Sequence, residues 1–378
     1  MIPSSFKAFY LLPFILLGLV AGIYGGWIRL GYPAIPLAEA SSQHGLIMTG
    51  GFLGTLISLE RAMVMAKKTW LLIPFLTGIS VFAFLLGLSD VGLLLLTTGS
   101  LGLSLIMHLQ TLKQPKFHSA LLYGGAVSWF IGNFLSWQTG LIAAGSTWWI
   151  GFLLFTIVGE RLELSQFLPV PSCSQNALKS LLALFTVGLI VPFHTWGNEI
   201  MGISALLIAA WLLVFDMAKV ASRKAAQFRY IGIGLQVGYL WLGIHGLIVM
   251  GMENQALYYD LMLHTFFLGF TFSMIWAHAP IIFPTIFGIR ETPYHPVLWI
   301  TWIGFQLSLL GRIVASILGE YELRKILGVA NGYLILIQFL LMAGIILWKM
   351  NQNKKVKPGR NRSHAKELEN KTFLHTRV

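Results

Sequence analysis

The stretch DLMLHTFFLGFTFSMIWAHAPIIFPTIF, residues 260–287, decides the fold. It is apolar enough and long enough to cross a bilayer, since a membrane-spanning helix needs about 20 such residues. It nevertheless carries two histidines, His264 and His278. Because ionisable side chains are costly inside a membrane, this stretch is also predicted to hold part of a functional site.

The composition of the whole chain also indicates a membrane protein. Of 378 residues, 56% are hydrophobic and 11% are charged, whereas aqueous domains average about 25% charged residues. The net charge of +12 lies in short loops and in the C-terminal segment, so membrane lipid is the expected partner and nucleic acid is not. With Cys173 as the only cysteine, no intramolecular disulfide can form.

Apolar runs of suitable length predict an all-α, polytopic membrane protein with about twelve transmembrane helices. They form one transmembrane domain over residues 1–349, and residues 350–378 are predicted to be a basic, disordered tail. The predicted spans are 9–30, 44–65, 70–89, 91–112, 118–138, 142–161, 177–197, 199–219, 230–252, 260–286, 296–318 and 325–348.

The distribution of lysine and arginine predicts the orientation of these spans. With the N-terminus in the cytoplasm, all but four of the 26 basic residues fall on the cytoplasmic side. The positive-inside rule therefore predicts that both termini, including the basic tail, are cytoplasmic. The four basic residues on the outer side are Arg29, Arg312, Arg324 and Lys325.

Two segments that are 100 residues apart suggest an internal repeat. GFLGTLISLERAM at 51–63 and GFLLFTIVGERLE at 151–163 align without a gap and share a Glu-Arg pair near the end. Because the offset equals four spans, we expect three four-helix repeats in which the second, sixth and tenth spans are equivalent.

Four histidines are expected in the outer half of the membrane. Even-numbered spans run inward, so His44 and His264 lie near the outer ends of the second and tenth spans. His245 and His194 lie near the outer ends of the ninth and seventh spans, which run outward. Neutral imidazole ligates haem iron and copper, so all four are candidate metal ligands. Nearby glycines would leave room for a flat macrocycle: Gly45, Gly50, Gly51, Gly54 and Gly269.

Less specific interpretations of the same residues stay open. The histidines can be interfacial residues, and the glycines can serve helix packing. His278 lies about 21 Å along the helix from His264, too far to share one metal ion, and is either a proton-path residue or a packed histidine. Pro280 and Pro284 could break the helix beside it. Met48 and Met274 could line a metal site or simply pack against neighbouring helices. The pairs Glu60–Arg61 and Glu160–Arg161 could conduct protons or simply form ion pairs at helix ends.

Several short motifs resemble those of the NnrS family of bacterial haem- and copper-containing membrane proteins. QVGYLWLGIHGLIVMG at 236–251 is similar to a helix of that family, and His264, Gly269 and Met274 match the His-x4-Gly-x4-Met pattern of its next helix. IVGERLELSQF at 157–167 is similar to the end of the family's sixth helix. HGLIMTGGFLGTL at 44–56 resembles both the early histidine helix of that family and the haem-ligand helix of haem–copper oxidase subunit I.

The resemblance implies a protein of the bacterial inner membrane that handles nitric oxide or nitrosative stress. It implies haem b with His44 and His264 as axial ligands, copper as a further cofactor, and His245 and His194 at a second metal site. Departures from the patterns, such as Ser41, Ser42 and Gln43 before His44, leave copper and enzymatic turnover open. The alternative is a secondary transporter or metal permease without haem.

Overall fold

Twelve long helices make up the part of the chain that the computed structural model describes, residues 9–32 and 37–374, with side chains up to residue 353 apart from 286–287. The first six are α1 (Leu12–Arg29), α2 (His44–Leu46, Ile47–Gly54 and Thr55–Met63), α3 (Leu72–Leu85), α4 (Ser89–Lys113), α5 (Phe117–Thr139) and α6 (Ala143–Leu164). The last six are α7 (Ser172–Ile190), α8 (Asn198–Phe215), α9 (Ala226–Gly251), α10 (Tyr258–His264, Thr265–Phe272 and Ser273–Phe287), α11 (Leu298–Leu318) and α12 (Tyr321–Leu374). They follow the predicted spans in order, and this confirms the all-α, polytopic fold.

Nine of the helices described are long and apolar enough to cross a membrane, which makes the protein a multi-pass membrane protein. The other three, α2, α5 and α6, were also predicted to be spans, but they are less apolar. They contain buried polar groups that other helices satisfy: the indole of Trp149 in α6 donates a hydrogen bond of 3.0 Å to Asn133 Oδ1 in α5. Such pairing lets a helix carry polar residues into an apolar bundle.

Close approach of backbones holds neighbouring helices together. In α5 and α6, a Cβ added at Gly145 would lie 2.5 Å from the carbonyl oxygen of Gly132. In α8 and α9, a Cβ added at Gly246 would lie 2.5 Å from the carbonyl oxygen of Gly202. In a membrane this close van der Waals packing drives helix association, because lipid is as apolar as the helices themselves.

The tenth helix is continuous where two prolines were predicted to break it. Residues Ser273–Phe287 form one α-helix that includes Pro280 and Pro284, and Gly288 ends it in a left-handed conformation with φ 61°. The predicted break is therefore wrong. The irregularity of α10 lies earlier, in a π-helical segment over Thr265–Phe272.

The last helix also extends further than its composition suggests. Helical backbone continues to Leu374 in the described part of the chain, and the disorder expected for residues 350–378 stays a prediction. The segment AKELEN, residues 365–370, is rich in residues that favour helix. Residues 375–378 lie outside the described part of the chain, and the location of the tail stays a prediction.

Candidate functional site

Two of the predicted ligand histidines meet at one end of the bundle. His44 opens α2 and His264 ends the first segment of α10, and the two imidazoles are close enough for their charges to interact. Both rings are only partly buried, with the His264 side chain 18% exposed. We call His44 and His264 the histidine pair, and the end of the bundle where they lie the histidine end.

The helices that carry the pair share an unusual geometry. A π-helical segment of eight residues follows each histidine, at Ile47–Gly54 in α2 and at Thr265–Phe272 in α10. Phe52 and Phe272, each eight residues after its histidine, stack with ring centroids 6.1 Å apart and an interplanar angle of 23°. Equal spacing of about 12 Å along both helices thus brings the histidines to the same level. π-Helical segments occur frequently at functional sites.

The orientation of both imidazoles suits ligation through Nε2. His44 Nδ1 lies 2.7 Å from the carbonyl oxygen of Gly22 in α1. His264 Nδ1 lies 2.8 Å from the carbonyl oxygen of Asp260 and 3.1 Å from its Oδ1. Within the described residues, neither Nε2 has a hydrogen-bond partner. Metal-ligating histidines characteristically donate Nδ1–H to a carbonyl or carboxylate, so this donor set fits haem iron.

The glycines near the pair do not leave the open space that was predicted. Side chains of neighbouring helices fill the positions that Cβ atoms would take at Gly50, Gly51, Gly54 and Gly269, with closest distances between 2.1 and 2.6 Å. The occupying side chains are those of Leu96, Val81, Trp129 and Trp241. These glycines serve helix packing, and the prediction that they accommodate a macrocycle is wrong. Gly45, nearest to His44, has only ordinary contacts at 3.7 and 3.8 Å.

The two methionines that could have lined a metal site are packing residues. The Met48 sulfur lies 2.2 Å from where a Cβ on Gly22 would be, and the Met274 methyl lies 2.1 Å from that position on Gly238. Each side chain therefore fills a notch on a neighbouring helix. This confirms the packing interpretation.

The structure leaves His245 and His194 apart from the histidine pair. His245 is buried in α9, where its Nδ1 lies 3.0 Å from the carbonyl oxygen of Met262 and its ring packs on Phe266. That face of α10 is turned away from His264 by the helical repeat. His194 is exposed and contacts the ring of Phe193. In the described part of the chain, no three His, Cys, Asp or Glu side chains come together to hold a metal ion.

His278 belongs to a buried ion network on the other side of the membrane core. Arg161 forms a bidentate pair with Asp216, with distances of 3.1 and 2.9 Å, and its Nη1 donates to His278 Nε2 at 3.0 Å. His278 Nδ1 lies 2.8 Å from the carbonyl oxygen of Met274, so both ring nitrogens are occupied. This explains how α10 tolerates a buried histidine: it is paired, and it has no free nitrogen for a metal.

Both predicted Glu-Arg pairs lie in this region. Arg61 pairs with Glu160 across α2 and α6, and its Nη2 lies 3.8 Å from Glu60 Oε1. Glu160 and His278 also interact electrostatically. The pairs thus connect α2, α6, α8 and α10, rather than each closing one helix end.

The acidic partner at each end of the bundle was not predicted from the sequence. Asp216 follows the apolar run of α8, and Asp260 precedes that of α10, so each could be read as a loop residue. Arg312 could have revealed one of these partners, because a lone arginine within an apolar span requires an acidic partner. That partner is Asp260, which also pairs with Arg324 at 3.2 Å.

Fold and site together define a multi-pass helical membrane protein with a partly exposed histidine pair at one end and a buried ion network at the other. A protein family described as Domain of unknown function (DUF8744) matches residues 8–347, and the chain belongs to this family. Comparison with curated proteins and with solved structures gives no match.

Proposed function

We propose that the protein binds one b-type haem at the histidine end, with His44 and His264 as axial ligands, and that it handles nitric oxide as proteins of the NnrS type do. The observation that supports this most is the histidine pair itself. Its two rings come from separate helices at the same level, and each is fixed through Nδ1, with no partner for Nε2 among the described residues.

The residues of this chain would orient the two ligand imidazoles and make them more basic. The Gly22 carbonyl and Asp260 hold the two imidazoles in the tautomer that has a lone pair on Nε2. Such second-layer hydrogen bonds also make the ligand more basic. A haem bound there would supply an iron centre to which nitric oxide could bind in place of one of the two imidazoles. The partial exposure of both histidines supports access for a small gaseous ligand.

The proposal is tested by an absorption spectrum of the protein purified after expression with ample haem. A Soret band that sharpens on addition of dithionite, and that shifts on addition of nitric oxide, is expected. Absence of a Soret band would contradict haem binding, and a band that does not respond to nitric oxide would contradict the proposed role.

We further propose that the protein resides in a bacterial inner membrane with both termini in the cytoplasm. The histidine end would then face outward, which agrees with the small number of basic residues there. A fluorescent protein fused after Val378 should be fluorescent in intact cells, and alkaline phosphatase at the same position should be inactive. The reverse pattern would contradict the orientation.

Secondary transport is a second candidate, and the buried ion network favours it. Ionisable residues that are buried in a membrane protein pair with one another and can mark pathways for substrates or protons. Arg161, Asp216 and His278 are all buried and connect three helices. Uptake of a substrate into vesicles by haem-free protein would favour this candidate, and the same uptake should be lost in Asp216→Asn.

A further inference from the structure

We propose that the end of the bundle opposite the histidine pair binds one anionic phospholipid, in a groove between α1 and α3. The lining of this groove, which we call the Lys68 groove, includes residues at the start of α1, in the turn before α3 and in the first turns of α3: Leu11, Lys68, Thr69, Leu72 and Phe75. The groove lies about 30 Å from His44, because α2 runs from His44 at one end to Met63 near the other. The site is therefore independent of the proposed haem.

The Lys68 groove has room for part of a lipid and presents an apolar surface to it. Its volume is about 470 Å³, within the range of about 300–1,000 Å³ of small-molecule sites. On the α3 side Leu72 is 58% exposed and Phe75 37% exposed. Phe14 of α1 and Phe75 of α3 meet with ring centroids 5.6 Å apart, which holds the two sides together. An acyl chain along this groove would cover apolar surface that α1 and α3 leave exposed.

The ammonium group of Lys68 gives the groove an unmatched positive charge. It is exposed and has no ion pair or hydrogen bond in the described structure. Residues 1–159 contain three acidic residues, Glu39, Glu60 and Asp90. Glu39 and Asp90 belong to the histidine end, and Glu60 lies 3.8 Å from Arg61 Nη2. No carboxylate of the helices around the groove therefore remains for Lys68.

The position of Lys68 suits the phosphate of a lipid headgroup. Lys68 begins the turn that leads directly into α3, and the N-terminus of a helix carries a partial positive charge of its own. The hydroxyl group of Thr69 is a further donor at the groove. Tyr10 and Trp70 lie at the same level, and such aromatic residues are typical of the membrane–water interface.

Charge and apolar surface together select an anionic phospholipid. Basic pockets between membrane helices bind the headgroups of anionic lipids. A free phosphate ion would use Lys68 and Thr69 alone and would leave Leu72 and Phe75 uncovered. A lipid with phosphate at Lys68 and an acyl chain along α3 uses both parts of the groove.

The charge is tested by native mass spectrometry of delipidated protein in a neutral detergent. We expect the first molecule of phosphatidylglycerol to bind about fivefold more tightly than phosphatidylcholine with the same acyl chains, because only the former has a net negative charge. Lys68→Gln should remove this preference. Lys113→Gln makes the same change of charge in an exposed residue at the end of α4 and should keep it. Equal preferences in the two variants would overturn the proposal.

Leu72→Trp tests the apolar part of the groove. The larger ring occupies space that the acyl chain needs, so phosphatidylglycerol should bind more weakly although the charge is unchanged. Leu86→Trp, at the other end of α3, is the control. Both leucines are more than half exposed, at 58% and 73%, so neither substitution disturbs the core. Undiminished binding by Leu72→Trp would contradict a lipid in this groove.

Other occupants of the groove would give different results. Displacement of phosphatidylglycerol by inorganic phosphate at equal concentration would show that only an anion is recognised and would overturn the lipid site. Tighter lipid binding by a chain that lacks residues 2–6 would assign the groove to the N-terminal segment instead. Selective binding of phosphatidylglycerol by protein without a Soret band would support the lipid site while contradicting the haem proposal.

Discussion

At the scale of single residues, the hydrogen-bond partners of each ionisable side chain distinguish residues that can bind a ligand from residues with a structural role. The histidine pair is held by Nδ1 alone and is partly exposed, whereas His278 uses both ring nitrogens and is buried. A site that takes an external ligand needs accessible, unpaired atoms. The pair therefore has the character of a binding site, and the buried ion network has that of a structural connection or a proton-binding site.

The Arg161–Asp216 pair should be important for stability. Asp216→Ala would leave Arg161 as an uncompensated buried charge, and removing one partner of such a pair costs about 3–5 kcal/mol. Thermal unfolding followed by circular dichroism in detergent should show a large decrease in the midpoint. Asp90→Ala, which removes an exposed carboxylate, is the control. Equal midpoints for the two variants would contradict a structural role of the pair.

Which residues become partners was predictable only in part. The sequence places His44 and His264 at the same depth, because the spans alternate in direction and the distance along a helix is fixed. It does not predict that Arg61 reaches Glu160 or that Arg161 reaches Asp216, since these pairs depend on which helices become neighbours. The role of the glycines near His44 was predicted wrongly for the same reason: the side chains that pack against them belong to other helices.

At the scale of helices, the π-helical segments of α2 and α10 are the features that sequence periodicity could not predict. Each widens the helix and changes which residues face the same side. Because an α-helix turns about 100° per residue, removing one residue from such a segment would rotate the preceding histidine away from its partner.

Deletion of Leu268 tests this role of the π-helical segment. We expect the tenth helix to return to regular α-helix, and His264 to lose its position relative to His44 and with it the haem Soret band. Leu268→Ala, which keeps the chain length, should retain the band. Circular dichroism should show equal helix content in both proteins. Retention of the band in the deletion variant would contradict a positioning role.

Close helix crossings make a second prediction at this scale. Gly246→Ala would push a methyl group against the carbonyl of Gly202 and should destabilise the protein by about 1–3 kcal/mol through overpacking. A Cβ added at Gly124 in α5 would have no atom within 4 Å, so Gly124→Ala should be neutral or stabilise the helix. Thermal unfolding of both variants measures the difference. A midpoint as high in Gly246→Ala as in Gly124→Ala would argue against a tight α8–α9 crossing.

At the scale of the whole molecule, composition was sufficient for the fold class and for the order of the helices. It overestimated the number of strongly apolar spans, because α2, α5 and α6 satisfy polar residues within the bundle. The predicted equivalence of the second, sixth and tenth spans is supported for two of them. α2 and α10 share the histidine, the π-helical segment and the phenylalanine at equal spacing, whereas α6 is a regular α-helix without histidine.

Absorption spectra of histidine variants test the central claim most directly. After expression with ample haem, the unmodified protein should show a Soret band that responds to dithionite, and His44→Ala and His264→Ala should each lose or strongly change it. His245→Ala, which alters a buried histidine packed on the other face of α10, should retain it. A normal band in both His44→Ala and His264→Ala, or no band in the unmodified protein, would contradict the account.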